Sequence, residues 1–140
     1  MNYVIIGNGP TGVIAAETLR KADPAGKITM IGSEAEPPYS RMAIPYLLIG
    51  NIKEEGTHLR KGNDHFAQMK IDNVVGKVSK VDTAAKKITL ESGAQHSYDK
   101  LLIASGSHPV APPMPGIDLP GIHPCWTLAD ARKIMDVAKP

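Results

Sequence analysis

Three glycines near the start of the chain have the spacing of a phosphate-binding turn. Gly7, Gly9 and Gly12 form a G-x-G-x-x-G pattern in the stretch GNGPTG, between an apolar run and a helical pattern. The first glycine would permit a tight turn, the second would let the backbone approach a pyrophosphate, and the third would let helix and strand pack closely. The N–H groups and partial positive charge at the helix start would then bind the phosphates. The pattern therefore indicates dinucleotide binding, with a merely structural turn as the alternative interpretation.

An acidic residue beyond the next predicted strand fits the same function. Glu34 lies about 22 residues after Gly12, close to the spacing of about 20 at which an acid accepts hydrogen bonds from ribose hydroxyls. Glu36 is the second candidate for this role, and a solvated loop glutamate is the alternative interpretation. The glycine turn by itself does not distinguish NAD from FAD.

The elements around these residues predict an α/β fold. A strand, the glycine turn, a helix and a second strand form one βαβ unit, whose strands should be parallel with a right-handed crossover. Alternating apolar and polar residues later in the chain predict a small antiparallel hairpin or meander, and a buried strand should follow it. Thr127, with Asp130 three residues later, should cap a final helix. The predicted strands span 3–6, 28–31, 71–75 and 101–104, and the predicted helices span 11–22, about 41–49, 63–70 and 127–137.

The composition excludes several classes of protein. A length of 140 residues suits one domain, the formal net charge is +2, and aromatic residues make up only 4% of the chain. No basic, aromatic-rich surface for nucleic acid is expected, and no apolar run approaches the roughly 20 residues that a membrane span needs. The single cysteine, Cys125, excludes an internal disulfide. We therefore expect a soluble protein of the cytoplasm.

Four further stretches follow the glycine turn in a recognisable order. They are GSEAEPPYSR, VVGKVSKVD, YDKLLIASG and PPMPGIDLPGI. In this order the chain resembles the N-terminal half of FAD-dependent pyridine nucleotide oxidoreductases. The most similar branch contains the ferredoxin and rubredoxin reductases, the flavin part of nitrite reductases, and the NADH oxidase and coenzyme A-disulfide reductase group. The resemblance implies a Rossmann-like FAD-binding domain with a parallel sheet plus a small antiparallel β-meander.

The resemblance also implies a division of the chain. Residues 1–106 would be the first segment of the FAD-binding domain. Residues 107–140 would be a proline-rich crossing and a helix that leads toward a nicotinamide-binding domain absent from this chain. A set of FAD-contacting residues follows from the matching motifs. It consists of Gly7, Gly9, Pro10, Thr11 and Gly12 in the pyrophosphate turn, Glu34 at the adenosine ribose, Arg41, Val78, and the turn Ala104, Ser105 and Gly106.

The resemblance implies a specific role for three of these residues, Arg41, Val78 and Ser105. Arg41, in the PYSR stretch, would lie along the FAD phosphates or the ribityl chain, with a surface arginine as the alternative. Val78 would hold the adenine through its backbone, so its side chain should matter little. Ser105 stands where the family usually has threonine, and it keeps the hydroxyl group.

The chain departs from the family at the redox positions. The cysteine pair of the disulfide reductases is absent, and Met42 stands where the single-cysteine branch has its cysteine. A thioether forms neither a mixed disulfide nor a sulfenate, so no cysteine-disulfide redox centre is expected. Met42 is interpreted as a packing residue. Tyr46 stands near the place of a lysine found in ferredoxin reductases. We assign no catalytic residue and no metal ligand.

These observations lead to one main hypothesis and two alternatives. The chain is expected to be the FAD-binding segment of an NAD(P)H-dependent flavin oxidoreductase that passes electrons to an acceptor such as an iron-containing protein or domain. Its partner would be the remainder of the same enzyme or a partner chain, because 140 residues are expected to be incomplete as a catalyst. The alternatives are a stand-alone flavin- or nucleotide-binding module without turnover and, less well supported, an NAD-dependent dehydrogenase.

Overall fold

A computed structural model describes residues 1–62 and 64–138. The chain divides into two compact units, which are described separately. Unit 1 consists of Met1–Tyr39 and Leu59–Gly106, and unit 2 consists of Ser40–His58 and the chain from Ser107 onward. The predicted first residue of the helix over 63–70 and the last two residues of the predicted segment 107–140 lie outside the described residues.

A four-stranded parallel sheet forms the centre of unit 1. Its strands are β1 (Asn2–Ile6), β2 (Lys27–Gly32), β3 (Ile71–Val75) and β7 (Lys100–Ile103). They stand in the order β3-β2-β1-β7, and β1 pairs in parallel with both β2 and β7. Ile5 is aligned with Met30 on one side and with Leu102 on the other. The predicted βαβ unit and the parallel sheet are thus confirmed.

Each face of this sheet carries its own apolar core. Successive side chains of a strand point to opposite faces, so the neighbours Val4 and Ile5 belong to different cores although both are fully buried. The core on one face contains Ile5, Val13, Ala16, Ile28, Met30 and Ile71. The core on the other face contains Val4, Ile31, Ile88, Leu90 and Tyr98.

Helix α1 (Pro10–Ala22) packs on the sheet through small residues. Its buried residues are Gly12, Val13 and Ala16, whereas Ile14 is 55% exposed. The short helix α3 (His65–Gln68) is shorter than the segment predicted for it. Glu17 of α1 accepts two hydrogen bonds of 2.6 Å from the guanidinium of Arg60. This ion pair joins α1 to the chain segment that precedes α3.

A separate three-stranded antiparallel sheet covers the other face, as the alternating pattern predicted. Its strands stand in the order β4-β5-β6. They are β4 (Val78–Asp82), β5 (Lys87–Leu90) and β6 (Gln95–Ser97).

The prediction of a buried strand over 101–104 is wrong in burial, although the strand exists. Leu102 is 38% exposed and Ile103 is 61% exposed. The physical reason is that β7 lies at the edge of the four-stranded sheet.

Within its described residues, 40–58 and 107–138, unit 2 contains two helices and two single 3-10 turns. The 3-10 turn Arg41–Ala43 leads directly into α2 (Ile44–Leu48), and a second turn spans Glu54–Thr57. Helix α4 (Leu128–Val137) begins with the predicted capping box. The Thr127 hydroxyl accepts a hydrogen bond from the Asp130 N–H, and the Thr127 N–H donates to the Asp130 carboxylate. In the described part of the chain, no helix combines the length and apolarity needed to span a membrane.

Candidate dinucleotide-binding site

The glycine turn lies where the order of the strands reverses. From β1 the chain moves outward to β2 and β3, and it later returns to the opposite side of β1 as β7. In open parallel sheets, ligands bind outside the carboxyl ends of the strands at such a switch point. The sheet topology therefore places Gly7 to Gly12, directly after β1, at the edge where a nucleotide is expected.

Gly7 is required both by its backbone conformation and by the space around it. Its φ is +111°, and a Cβ atom there would lie 2.1 Å from the Ala104 carbonyl oxygen. The Gly7 N–H donates a hydrogen bond of 2.7 Å to the Ile31 carbonyl, and the Ala104 N–H donates one of 2.7 Å to the Ile6 carbonyl. These contacts fix the turn between the ends of β2 and β7.

Gly12 and Gly9 differ in the space around them, as the glycine pattern predicted: Gly12 is packed against protein atoms, whereas Gly9 faces open space. A Cβ at Gly12 would lie 1.9 Å from the Gly7 carbonyl oxygen, because the helix packs directly on the turn. A Cβ at Gly9 would have no atom within 4 Å, and the φ of Gly9 is −73°. The protein itself therefore does not need glycine at position 9. The open space beside this backbone fits the approach of a ligand phosphate.

The first turn of α1 can bind an anion. Pro10 occupies the first turn, where its missing N–H costs no hydrogen bond, and Gly9 caps the helix without a side-chain bond. The first turn contains no acidic residue, and the last turn contains Arg20 and Lys21. The N–H groups of Thr11 and Gly12 and the helix dipole are thus available to a phosphate.

Glu34 follows β2 and is held by a tyrosine. The Tyr39 hydroxyl donates a hydrogen bond of 2.6 Å to Glu34 Oε2. Glu34 is half-buried and lies on a bend just beyond Gly32. Since β1 and β2 are neighbouring parallel strands, Glu34 lies at the same edge of the sheet as the glycine turn, and its role toward a ribose stays a prediction.

Val78 stands beyond the end of β3, the next strand of the sheet. The Gly76 N–H donates a hydrogen bond of 2.7 Å to the Gly32 carbonyl, which joins the segment before Val78 to the end of β2. Val78 itself is half-buried as the first residue of β4. The structure thus orders the predicted phosphate, ribose and adenine residues along one edge of the sheet.

The turn after β7 contacts the glycine turn. Besides the Ala104 carbonyl, the Ser105 nitrogen would lie 3.1 Å from a Cβ at Gly7. Ser105 is exposed, and Gly106 has a φ of +72°. The predicted Ala104, Ser105 and Gly106 therefore lie at the same switch point.

Arg41 belongs to unit 2, where its contacts are with Trp126. Its guanidinium carbon lies 5.0 Å from the centre of the Trp126 ring, and its Nη1 donates a hydrogen bond of 2.7 Å to the Trp126 carbonyl. The Trp126 indole N–H in turn donates to the Ser107 carbonyl at 3.0 Å. These contacts fix the planar cation in one orientation. The role of Arg41 toward the FAD phosphates stays a prediction.

Met42, which stands where related proteins have a redox cysteine, lies on the surface. Met42 is 85% exposed, so its interpretation as a packing residue is wrong. It is the middle residue of the Arg41–Ala43 turn, and the buried side chains of this segment, Ile44 and Leu47, come later.

Cys125 is a free, exposed thiol. Within residues 1–62 and 64–138, no three His, Cys, Asp or Glu side chains form a group that could hold a metal ion.

Two residues of this edge were not identified from the sequence. Tyr39 lies in a motif that was recognised, but no periodicity links a tyrosine to an acid five residues earlier. Asn8 lies inside the glycine turn, and its side chain is so close to Gly32 that a Cβ there would be 2.2 Å from the Asn8 Cγ. Only the three-dimensional proximity of the ends of β1 and β2 reveals this contact.

The fold and the turn are those of a Rossmann-like α/β protein, and comparison with known proteins identifies the family. The family model described as "Pyridine nucleotide-disulphide oxidoreductase" matches residues 1–140. The chain belongs to this family, as the resemblance of its motifs predicted, and the enzymes of the family use FAD and NAD(P)H.

Three similar proteins show how much of a relative the chain represents. The NADH-dependent phenylglyoxylate dehydrogenase subunit epsilon of Aromatoleum evansii is 35% identical over 133 residues, covering 94% of this chain and 31% of the relative. The benzene 1,2-dioxygenase system ferredoxin–NAD(+) reductase subunit of Pseudomonas putida is 33% identical over 137 residues, covering 96% and 33%. The crystal structure of NADH:rubredoxin oxidoreductase from Clostridium acetobutylicum aligns with a TM-score of 0.83 at 32% identity, covering 96% and 35%. The chain thus spans about a third of the length of these relatives.

Proposed function

We propose that this chain is the FAD-binding segment of an NAD(P)H-dependent flavin oxidoreductase. Electrons would pass from a nicotinamide to the flavin and then to an acceptor such as an iron-containing protein or domain. The names of two similar proteins, a ferredoxin–NAD(+) reductase subunit and an NADH:rubredoxin oxidoreductase, support this class of acceptor.

One observation carries the proposal of a bound dinucleotide. Two glycines of the turn are required by protein atoms at 2.1 and 1.9 Å from a hypothetical Cβ, whereas the middle glycine faces open space. Gly9 is the N-cap of α1, where Ser, Thr, Asn or Asp would serve at least as well as glycine, and its φ of −73° suits any residue, so the fold alone gives no specific reason for glycine at this position. A ligand that contacts the backbone of Gly9 supplies that reason.

The residues of this edge fit the adenosine diphosphate half of FAD. The N–H groups of Thr11 and Gly12 would bind the pyrophosphate, the Glu34 carboxylate would accept hydrogen bonds from the ribose hydroxyls, and the backbone of Val78 would hold the adenine. The flavin, when bound, supplies the hydride and electron chemistry. The role of this chain would be to bind and orient the flavin.

The other participants are proposed from the family and the composition. NAD(P)H would bind to a region outside these residues. The protein partner would be the remainder of the same enzyme or a partner chain. We propose the cytoplasm as the compartment, because a lone exposed thiol, Cys125, suits a reducing environment.

The test is a titration of the purified chain with FAD, followed by flavin absorbance and fluorescence, for the wild type and for Gly9→Ala. We expect the wild type to bind FAD weakly, and Gly9→Ala to remain folded but to lose at least about tenfold in affinity, because its methyl group occupies the ligand space. Equal FAD affinity of the two proteins would contradict the proposal. Binding of NAD but not FAD would instead favour the dehydrogenase interpretation.

A further inference from the structure

We propose that Tyr39 is a positioning residue that holds the Glu34 carboxylate for the ribose and thereby sets the preference of the site for ribonucleotides. This inference rests on the proposed function, because it requires an adenosine ribose at the end of β2. It assigns to the PPYSR stretch a role that the sequence did not reveal.

Tyr39 is itself held firmly. Tyr39 is only 7% exposed, and the carbonyl of the preceding residue, Pro38, accepts a hydrogen bond of 2.9 Å from the Leu59 N–H. A tyrosine side chain has two torsions, and burial of the ring fixes both. The hydroxyl at the end of this ring is therefore a fixed donor.

Glu34, in contrast, needs external support. It lies on a bend of the chain and not on a strand or helix, and a glutamate side chain loses considerable rotational freedom when it is ordered. The hydrogen bond of 2.6 Å from the Tyr39 hydroxyl to Oε2 provides that ordering. A carboxylate has about four acceptor positions, of which the Tyr39 hydroxyl uses one.

The position of the pair explains why the orientation matters. Gly32, directly before this bend, accepts a hydrogen bond from Gly76 and contacts Asn8, so the end of β2 is connected to both the phosphate turn and the adenine segment. A ribose between phosphate and adenine would have its hydroxyls at this end of β2. A carboxylate fixed here before the ligand arrives binds with less loss of side-chain entropy than a mobile one.

A tyrosine that only stabilises the bend would leave ribose recognition unchanged. The measurement is therefore selectivity, given by the ratio of the dissociation constants of 2′-deoxy-ADP and ADP. Each constant is measured by titration calorimetry on the full chain. The variants are Tyr39→Phe, Glu34→Gln and the double variant. Tyr98→Phe is the matched control, because Tyr98 is also a buried tyrosine of unit 1, and its hydroxyl donates to the Asp82 carbonyl at 3.4 Å.

We expect the wild type to prefer ADP by about tenfold, the value of a hydrogen bond to a charged group. Tyr39→Phe and Glu34→Gln should each reduce this ratio to about threefold or less, and the double variant should reduce it no further, because the two side chains act as one unit. Tyr98→Phe should keep the full ratio.

The results separate the two proposals. If the wild type binds neither nucleotide, the proposed function fails, and this inference fails with it. If the wild type binds ADP with a clear ribose preference that Tyr39→Phe retains in full, only the positioning role of Tyr39 is overturned. Additive losses in the double variant would also overturn it, since they would mean that each side chain acts alone.

Discussion

At the scale of single residues, the glycine turn combines positions that serve the fold with a position that serves the ligand. We predict that Gly12→Ala destabilises the protein by about 2 kcal/mol or more, because its methyl group would overlap the Gly7 carbonyl and force α1 away from the turn. Gly9→Ala is the control and should lower the free energy of unfolding in urea by at most about 1 kcal/mol, because it changes only the N-cap of α1. Equal stability of both variants would contradict the observed packing.

The ribose acid can be tested by comparing two glutamates of the same loop. We predict that Glu34→Ala weakens FAD binding by about tenfold or more, because hydrogen bonds from ribose hydroxyls to a carboxylate are lost. Glu36→Ala, the matched control, should bind FAD like the wild type in the same calorimetric titration. If only Glu36→Ala weakens binding, the acid was assigned to the wrong residue.

The contact between Asn8 and Gly32 gives a prediction about stability. Gly32→Ala would place a Cβ 2.2 Å from the Asn8 Cγ, so the Asn8 side chain must turn aside, at a cost of about 1 kcal/mol. The double variant Asn8→Ala with Gly32→Ala removes the overlapping atoms and should recover most of the loss. A urea double-mutant cycle measures this coupling, and additive effects would mean that the two residues do not interact.

At the scale of elements, the sequence predicted the positions of the strands, but not which of their side chains are buried. The positions of β1, β2 and β3 and of the meander follow from local apolar patterns, which any parallel strand or hairpin shows. The exposure of Ile103 does not follow from them, because only the strand order shows that β7 is an edge. The same holds for Ile14 of α1, which is 55% exposed, because an apolar residue type does not by itself show which face of a helix packs. Side-chain contacts such as Tyr39 with Glu34 depend on chain paths that local patterns do not contain.

The ion pair between Glu17 and Arg60, which attaches α1 to the rest of unit 1, gives a prediction about how the stability of the protein depends on pH. The Glu17 side chain is 14% exposed, and the hydrogen bonds from Arg60 lower the pKa of its carboxyl group, with a further contribution from His65 Nε2 at 2.9 Å. A lowered pKa means that the ionised form stabilises the fold above the ordinary glutamate pKa of about 4.3. This contribution is lost as the pH falls below that value.

We therefore predict that Glu17→Gln is less stable than the wild type at pH 7, and that the difference shrinks as the pH falls below about 4. Urea unfolding across this pH range measures it. Glu91→Gln is the control, because Glu91 forms an exposed pair with Lys77 and its side chain is 56% exposed, so its replacement should have little effect at either pH. A constant difference for Glu17→Gln would contradict the assigned ion pair.

At the scale of the whole molecule, the order of motifs was more informative than any single motif. The glycine turn alone left NAD and FAD open, and the five stretches taken together identified the family that the comparison confirms. The division into units was less accessible to sequence reasoning. Residues 40–58 group with the chain from Ser107 onward although unit 1 separates them in sequence, and such long-range grouping depends on contacts such as the 3.0 Å bond from Arg132 to Glu54. The proposed domain assignment of 1–106 and 107–140 within a longer enzyme stays a prediction.

The last prediction concerns turnover by the 140-residue chain itself. Hydride transfer from NADH to FAD requires two dinucleotides to be bound at once. The sequence contains one G-x-G-x-x-G pattern, and the described residues form one parallel sheet with one switch point. We therefore expect that the purified chain supplied with FAD oxidises NADH no faster than free FAD does, although it binds the flavin. A longer relative such as the NADH:rubredoxin oxidoreductase, of which the chain covers 35%, serves as the positive control. Steady NADH oxidation in proportion to the amount of the 140-residue chain would contradict this prediction, because it would require a nicotinamide site within these same elements.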